Sequence, residues 1–99
     1  MLTKEYVQQQ LKVLIPTLLQ HYPIESLSLF GSVARNEATE ASDIDLLVEF
    51  NQPVGWAFFE LEEQLAQALN CTVDLVPKTG LKPHYLERII PDMVEIWHA

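Results

Sequence analysis

The sequence predicts an α/β (α+β) domain: a small mixed β-sheet with helices on one face and the reactive groups on the other. Three observations carry this. Segments 26–30, 43–50 and 72–76 alternate apolar and polar residues, the period of a half-buried strand. Segments 2–22 and 56–69 repeat apolar residues at helical spacing. Helical segment 56–69 falls between two of the strands, and a strand–helix–strand order implies a crossover and a parallel pair.

Taken in order, segment 2–22 places Tyr6, Val7, Leu11, Leu14, Ile15, Leu18, Leu19 and Tyr22 at a period near 3.6. Thr3 is the candidate cap at its start. Pro16 interrupts it, because an interior proline loses a hydrogen bond and clashes with the preceding turn. A kink is expected there, or two short helices with Pro16 in the first turn of the second. Pro23 closes the segment. The first strand leads into Gly31-Ser32 and a helical turn over 33–37. The second strand is followed by helix 56–69, whose expected apolar stripe is Trp56, Phe59, Leu65, Ala66 and Leu69. After the third strand a helix spans 83–90, ended by Pro91, and the tail 93–97 forms either an edge strand or irregular chain.

Alternation sorts the strand residues onto two faces. Leu27, Leu29, Ile44, Leu46, Val48, Phe50, Val73 and Leu75 make an apolar face for the helices. Ser26, Ser28, Asp43, Asp45, Glu49, Thr72 and Asp74 make the opposite one.

Ninety-nine residues make one domain over 1–99. Six basic residues face fourteen acids, for a formal net charge of -8. Such a surface repels long polyanions and argues against tight nucleic-acid binding. The lone cysteine, Cys71, excludes an internal disulfide and reads as a small residue at or near the core. No secretory leader or membrane-length apolar run is present, so a cytoplasmic protein is the expectation.

The chemistry concentrates in Gly31-Ser32, ten intervening residues, then Asp43-Ile44-Asp45. Gly31 has no side chain to hold a phosphate away, and Ser32 is placed to cap the helical turn behind it. The bland alternative is an ordinary strand-to-helix turn. Asp43 and Asp45 put two carboxylates on one face of an apolar strand, an arrangement a divalent cation such as Mg²⁺ neutralises. For Asp43 alone, a solvated turn after Ser42 explains as much. Asp74, between Val73 and Leu75, is a third acid in a strand. It would share the metal, accept a proton from an attacking hydroxyl, or pair with Lys78 or Arg35. Arg35 and Lys78 are the nearest bases in sequence to the acidic segments, and either touch phosphate or pair with a neighbouring acid. His21, His84 and His98 show no metal-ligand spacing.

These residues resemble the nucleotidyltransferase superfamily that includes DNA polymerase beta. The fuller strings Leu29-Phe30-Gly31-Ser32-Val33-Ala34-Arg35, Ser42-Asp43-Ile44-Asp45-Leu46-Leu47-Val48 and Val73-Asp74-Leu75-Val76 are similar to the minimal nucleotidyltransferases, or MNT proteins. The resemblance implies the nucleotidyltransferase fold and two Mg²⁺ ions, with Asp43, Asp45 and Asp74 as metal ligands and catalytic acids. It implies that Gly31 and Ser32 hold the triphosphate of ATP. It also implies a partner: MNT proteins pair with HEPN ribonuclease toxins and transfer AMP to a toxin tyrosine, acting as antitoxins. Asn36 stands where the family often has glycine, and asparagine tolerates the same left-handed backbone.

Two other readings stay open. One is transfer to a small hydroxylated molecule, as aminoglycoside nucleotidyltransferases do, although those carry extra acceptor-binding domains. The other is an antitoxin that blocks its partner by contact alone, with Trp56, Phe58, Phe59 and Trp97 as anchors, although these aromatics fit a core equally well.

Overall fold

The computed structural model describes residues 2–99. Its first helix, α1, runs Lys4–His21. The Thr3 hydroxyl caps it, accepting from the Tyr6 N–H at 3.1 Å. Val7, Leu11, Ile15 and Leu18 form its buried stripe, while Tyr6 and Leu19 of the predicted set face solvent. The helix is continuous through Pro16 rather than divided there. Pro16 and Lys12 both lie on the exposed side, where water can serve a carbonyl that loses its usual N–H partner to proline.

Strand β1 (Ile24–Phe30) leads into the short helix α2 (Gly31–Ala34), which starts two residues before the predicted helical turn. Strand β2 (Ile44–Phe50), helix α3 (Ala57–Leu69) and strand β3 (Val73–Pro77) follow. A 3-10 turn at Lys78–Gly80 precedes α4 (Pro83–Ile89), and a second at Ile90–Asp92 precedes β4 (Val94–His98). The tail is therefore a strand. The sheet order is β3-β2-β1-β4: β2 and β3 run parallel, as the crossover requires, and the other two pairs are antiparallel.

One sheet face joins α1 and α3 in a core of Leu27, Leu29, Ile44, Leu46, Val48, Val73, Leu75 and Ile96. The α3 contribution is Leu61, Leu65 and Leu69. Trp56 and Phe59, expected in that stripe, are 84% and 57% exposed. Leu61 is in helical phase with Phe58, which packs against the core, and Phe59 is turned away by one position. Of the four aromatics weighed as core or anchor, Phe58 and Trp97 pack on the core and Trp56 and Phe59 do not. Cys71 is partly buried against the same core.

The second sheet face is less open than the alternation suggests: Ser28, Phe30 and Leu47 on it are buried. On the outer side of β3 the Leu75 N–H donates to Oε2 of Glu62 on α3 at 2.9 Å. Among the described residues no helix is long and apolar enough to cross a membrane.

Candidate active site

The site is organised where β1 ends. The chain turns at Gly31 with φ +77°, a backbone angle that side-chain-bearing residues rarely adopt. A Cβ at this position would also run into the Asp45 carboxylate, meeting Oδ2 first, with Cγ at 3.0 Å. The glycine therefore makes room for an acid of β2, a reason the sequence alone does not supply. The Gly31 carbonyl accepts from the Arg35 N–H at 3.1 Å, so the helical turn closes on residue 31. Ser32 consequently sits inside α2 and does not cap it; the cap position belongs to Phe30. Asn36 adopts φ 60°, and its Oδ1 accepts from the Lys4 N–H at 3.1 Å.

Strand register places the acids. Asp45 is opposite Phe30 on β1 and opposite Asp74 on β3. Asp43 lies two residues upstream, just outside β2. Asp45 is half-buried, whereas Asp43 and Asp74 are exposed. Burial pushes the Asp45 carboxyl above the usual carboxylate range, and the Asp74 and Asp43 charges push the same way; Arg35 opposes them. Among the described residues, no three His, Cys, Asp or Glu side chains stand close enough together to hold an ion as they are. The donor chemistry nonetheless fits a divalent cation. The donors are all carboxylate oxygens, the ligands Mg²⁺ prefers, and added positive charge would relieve the repulsion that Asp45 feels.

Beside Asp45 is a cavity of about 330 Å³ whose floor is Phe30, Gly31, Ser32, Arg35 and Asp45. Its other wall is Tyr85, Arg88 and Ile89 of α4, with Asp92 beyond them. Asp43, Asp74 and Lys78 are not part of this lining. Arg35 holds Glu37 (Nε–Oε1 2.7 Å) and Asp92 (Nη1–Oδ2 3.5 Å). Lys78 holds Glu49 (Nζ–Oε1 3.5 Å) rather than Asp74. The α4 wall was not foreseen from the sequence. Residues 83–90 read as a helix, but no motif ties them to Gly31 or Asp45. Only the seating of β4 against β1 reveals that the chain returns across this face.

With that geometry in view, the comparisons with known proteins are coherent. Residues 11–95 match the family described as nucleotidyltransferase domain, and the chain belongs to that family. Within it the chain is of the minimal, MNT type. One relative, the protein adenylyltransferase MntA of Thermococcus cleftensis, is 36% identical over 97 residues, which cover 97% of this chain and 98% of the relative. A solved toxin–antitoxin with AMP-PNP aligns at a TM-score of 0.75 and 26% identity, over 91% of this chain and 73% of that one. A tri-AMPylated Shewanella oneidensis HEPN toxin in complex with an MNT antitoxin aligns at 0.68 and 26%, over 93% and 73%.

Proposed function

We propose that this chain is an adenylyltransferase antitoxin that moves AMP from ATP to a tyrosine hydroxyl of a partner HEPN ribonuclease toxin. The observation that carries the reading is the juxtaposition of Asp45 and Asp74 across the parallel pair β2–β3, with Gly31 against the Asp45 carboxylate. The kinship with MntA and with a complex containing an AMPylated HEPN toxin supports the choice of group and acceptor.

In this reading Gly31 and Ser32 floor the triphosphate, and Arg35 adds charge from the same cavity. Lys78 pairs with Glu49 outside this cavity lining, so its contact to phosphate would require that surface pair to part. Asp43, Asp45 and Asp74 would hold two Mg²⁺ ions. Bound there, the ions supply charge neutralisation for the phosphates and the leaving pyrophosphate, and acidify the acceptor hydroxyl. The chain's part is to fix the α-phosphorus in line between the acceptor oxygen and the pyrophosphate. The acceptor O–P bond forms, the bond to pyrophosphate breaks, and the hydroxyl proton passes to the exposed Asp74 carboxylate and from there to solvent.

The test is transfer of labelled AMP from ATP to the co-expressed toxin. The wild-type chain should label it. Asp45→Asn and Asp74→Asn should each lose at least about a hundredfold in rate while keeping the wild-type circular dichroism spectrum. Full transfer by both variants, or none by the wild type, refutes the proposal. The exposure of Trp56 and Phe59 favours one second reading, neutralisation by contact. Variants that transfer nothing yet still neutralise the toxin would establish it.

A further inference from the structure

Even with two Mg²⁺ ions held by the acids, the proposed nucleotide cradle has a deficit of positive charge. Asp45 and Asp92 line it, and Asp43 and Asp74 add negative potential at Asp45. A triphosphate brings several more negative charges to the same place. Three bases lie on the segments that build the site, and two are already engaged. Arg35 is held by Glu37 and Asp92, and Lys78 by Glu49 away from the cavity. The third, Arg88, lines the cavity, is exposed, and makes no ion pair among the described residues.

Helix α4 delivers Arg88 deliberately placed. Tyr85, Arg88 and Ile89 are spaced i, i+3, i+4, so one side of the helix supplies all three to the cavity. No side chain of α4 is fully buried, so the helix has little core of its own to hold it down. Elements with few buried contacts open at low free-energy cost, and a ligand that bridges them to the body of the protein holds them closed. A guanidinium is the group suited to such a bridge, since its planar fork of donors matches phosphate oxygens.

We infer that Arg88 is the triphosphate ligand supplied by α4, and that the helix closes over the Gly31–Ser32 cradle through it, with Tyr85 as the adjoining wall. The inference rests on the reading that ATP binds this cradle, and it adds a residue and an element that the Gly-Ser and Asp motifs do not contain.

The experiment is titration of AMP-PNP with Mg²⁺ into the purified chain by calorimetry, paired with hydrogen exchange on the α4 amides. Wild type should bind, and its α4 amides should slow on binding. Arg88→Ala should weaken binding about tenfold or more and abolish the slowing, with the fold intact by circular dichroism. Arg88→Lys should recover part of the affinity, because charge returns without the fork. Lys82→Ala, just before α4 and outside the cavity lining, should bind as wild type. If Arg88→Ala binds AMP-PNP as tightly as wild type, the inference falls while the cradle reading stands. If wild type itself does not bind AMP-PNP, both fall together.

Discussion

The Asp45 carboxylate lies against the Cα of Gly31, close enough that no β-carbon fits between them. One residue follows directly on the end of a strand and turns with a positive φ; the other emerges from the neighbouring strand into the space this leaves. Gly31→Ala would therefore carry two penalties. The left-handed backbone costs an alanine about 1–2 kcal/mol, and the new methyl must displace the carboxylate. Urea unfolding should show at least that backbone loss, and AMP transfer should fall further than stability alone explains. An alanine variant as stable and active as wild type would show that the two residues are not so tightly set.

Ionising Asp45 is harder in the folded chain than in the unfolded one, because burial and the Asp74 and Asp43 carboxylates raise its pKa. Its contribution to stability is thus whole below about pH 4, the unfolded carboxyl's range, and is lost as pH rises through the folded value. Asp45→Asn removes that loss. The variant should melt at a higher Tm than wild type at pH 7, and the gap should close toward pH 4. Mg²⁺ should raise the wild-type Tm at pH 7 and leave the variant nearly unmoved. A variant that melts lower at pH 7 would contradict this electrostatic account.

Pro16 interrupts the hydrogen bonding of α1 on its exposed side without ending the helix. Pro16→Ala should restore the bond to the Lys12 carbonyl and stabilise the protein by about 1–3 kcal/mol, measured by urea denaturation. A loss of stability would mean that Pro16 does more than interrupt.

Two substitutions on α3 separate its faces. Leu61 is fully buried, so Leu61→Ala should cost about 2–5 kcal/mol. Trp56 is largely exposed, so Trp56→Ser should change stability by no more than about 0.5 kcal/mol. Equal losses from the two would place Trp56 in the core after all.

The strands, the helices and the parallel pair were readable in the sequence because period and crossover logic act locally. The apolar face was largely legible: Leu27, Leu29, Ile44, Leu46, Val48, Val73 and Leu75 are buried, and Phe50 is partly buried against them. That Asp45 and Asp74 stand side by side was legible only through the family resemblance and not from the alternation, since register depends on the pairing of β2 with β3. Of the expected α3 stripe, Leu65, Ala66 and Leu69 do face the core, and only Trp56 and Phe59 do not: large aromatics there outweigh Leu61 in a hydrophobic count, although the first turn of a helix need not share the stripe of the rest. Arg88 and Tyr85 carried no signal at all. Their place beside Gly31 follows from β4 joining the far edge of the sheet, which draws α4 across the reactive face.

The bond from the Leu75 amide to Glu62 has a meaning for behaviour at high concentration. A sheet's outer rim is where a stranger's backbone zips on and filaments begin. Here a carboxylate from the covering helix already occupies one rung on the β3 margin. Any intruding strand must evict it and then bury it, so the domain carries its own safeguard against polymerising along that side.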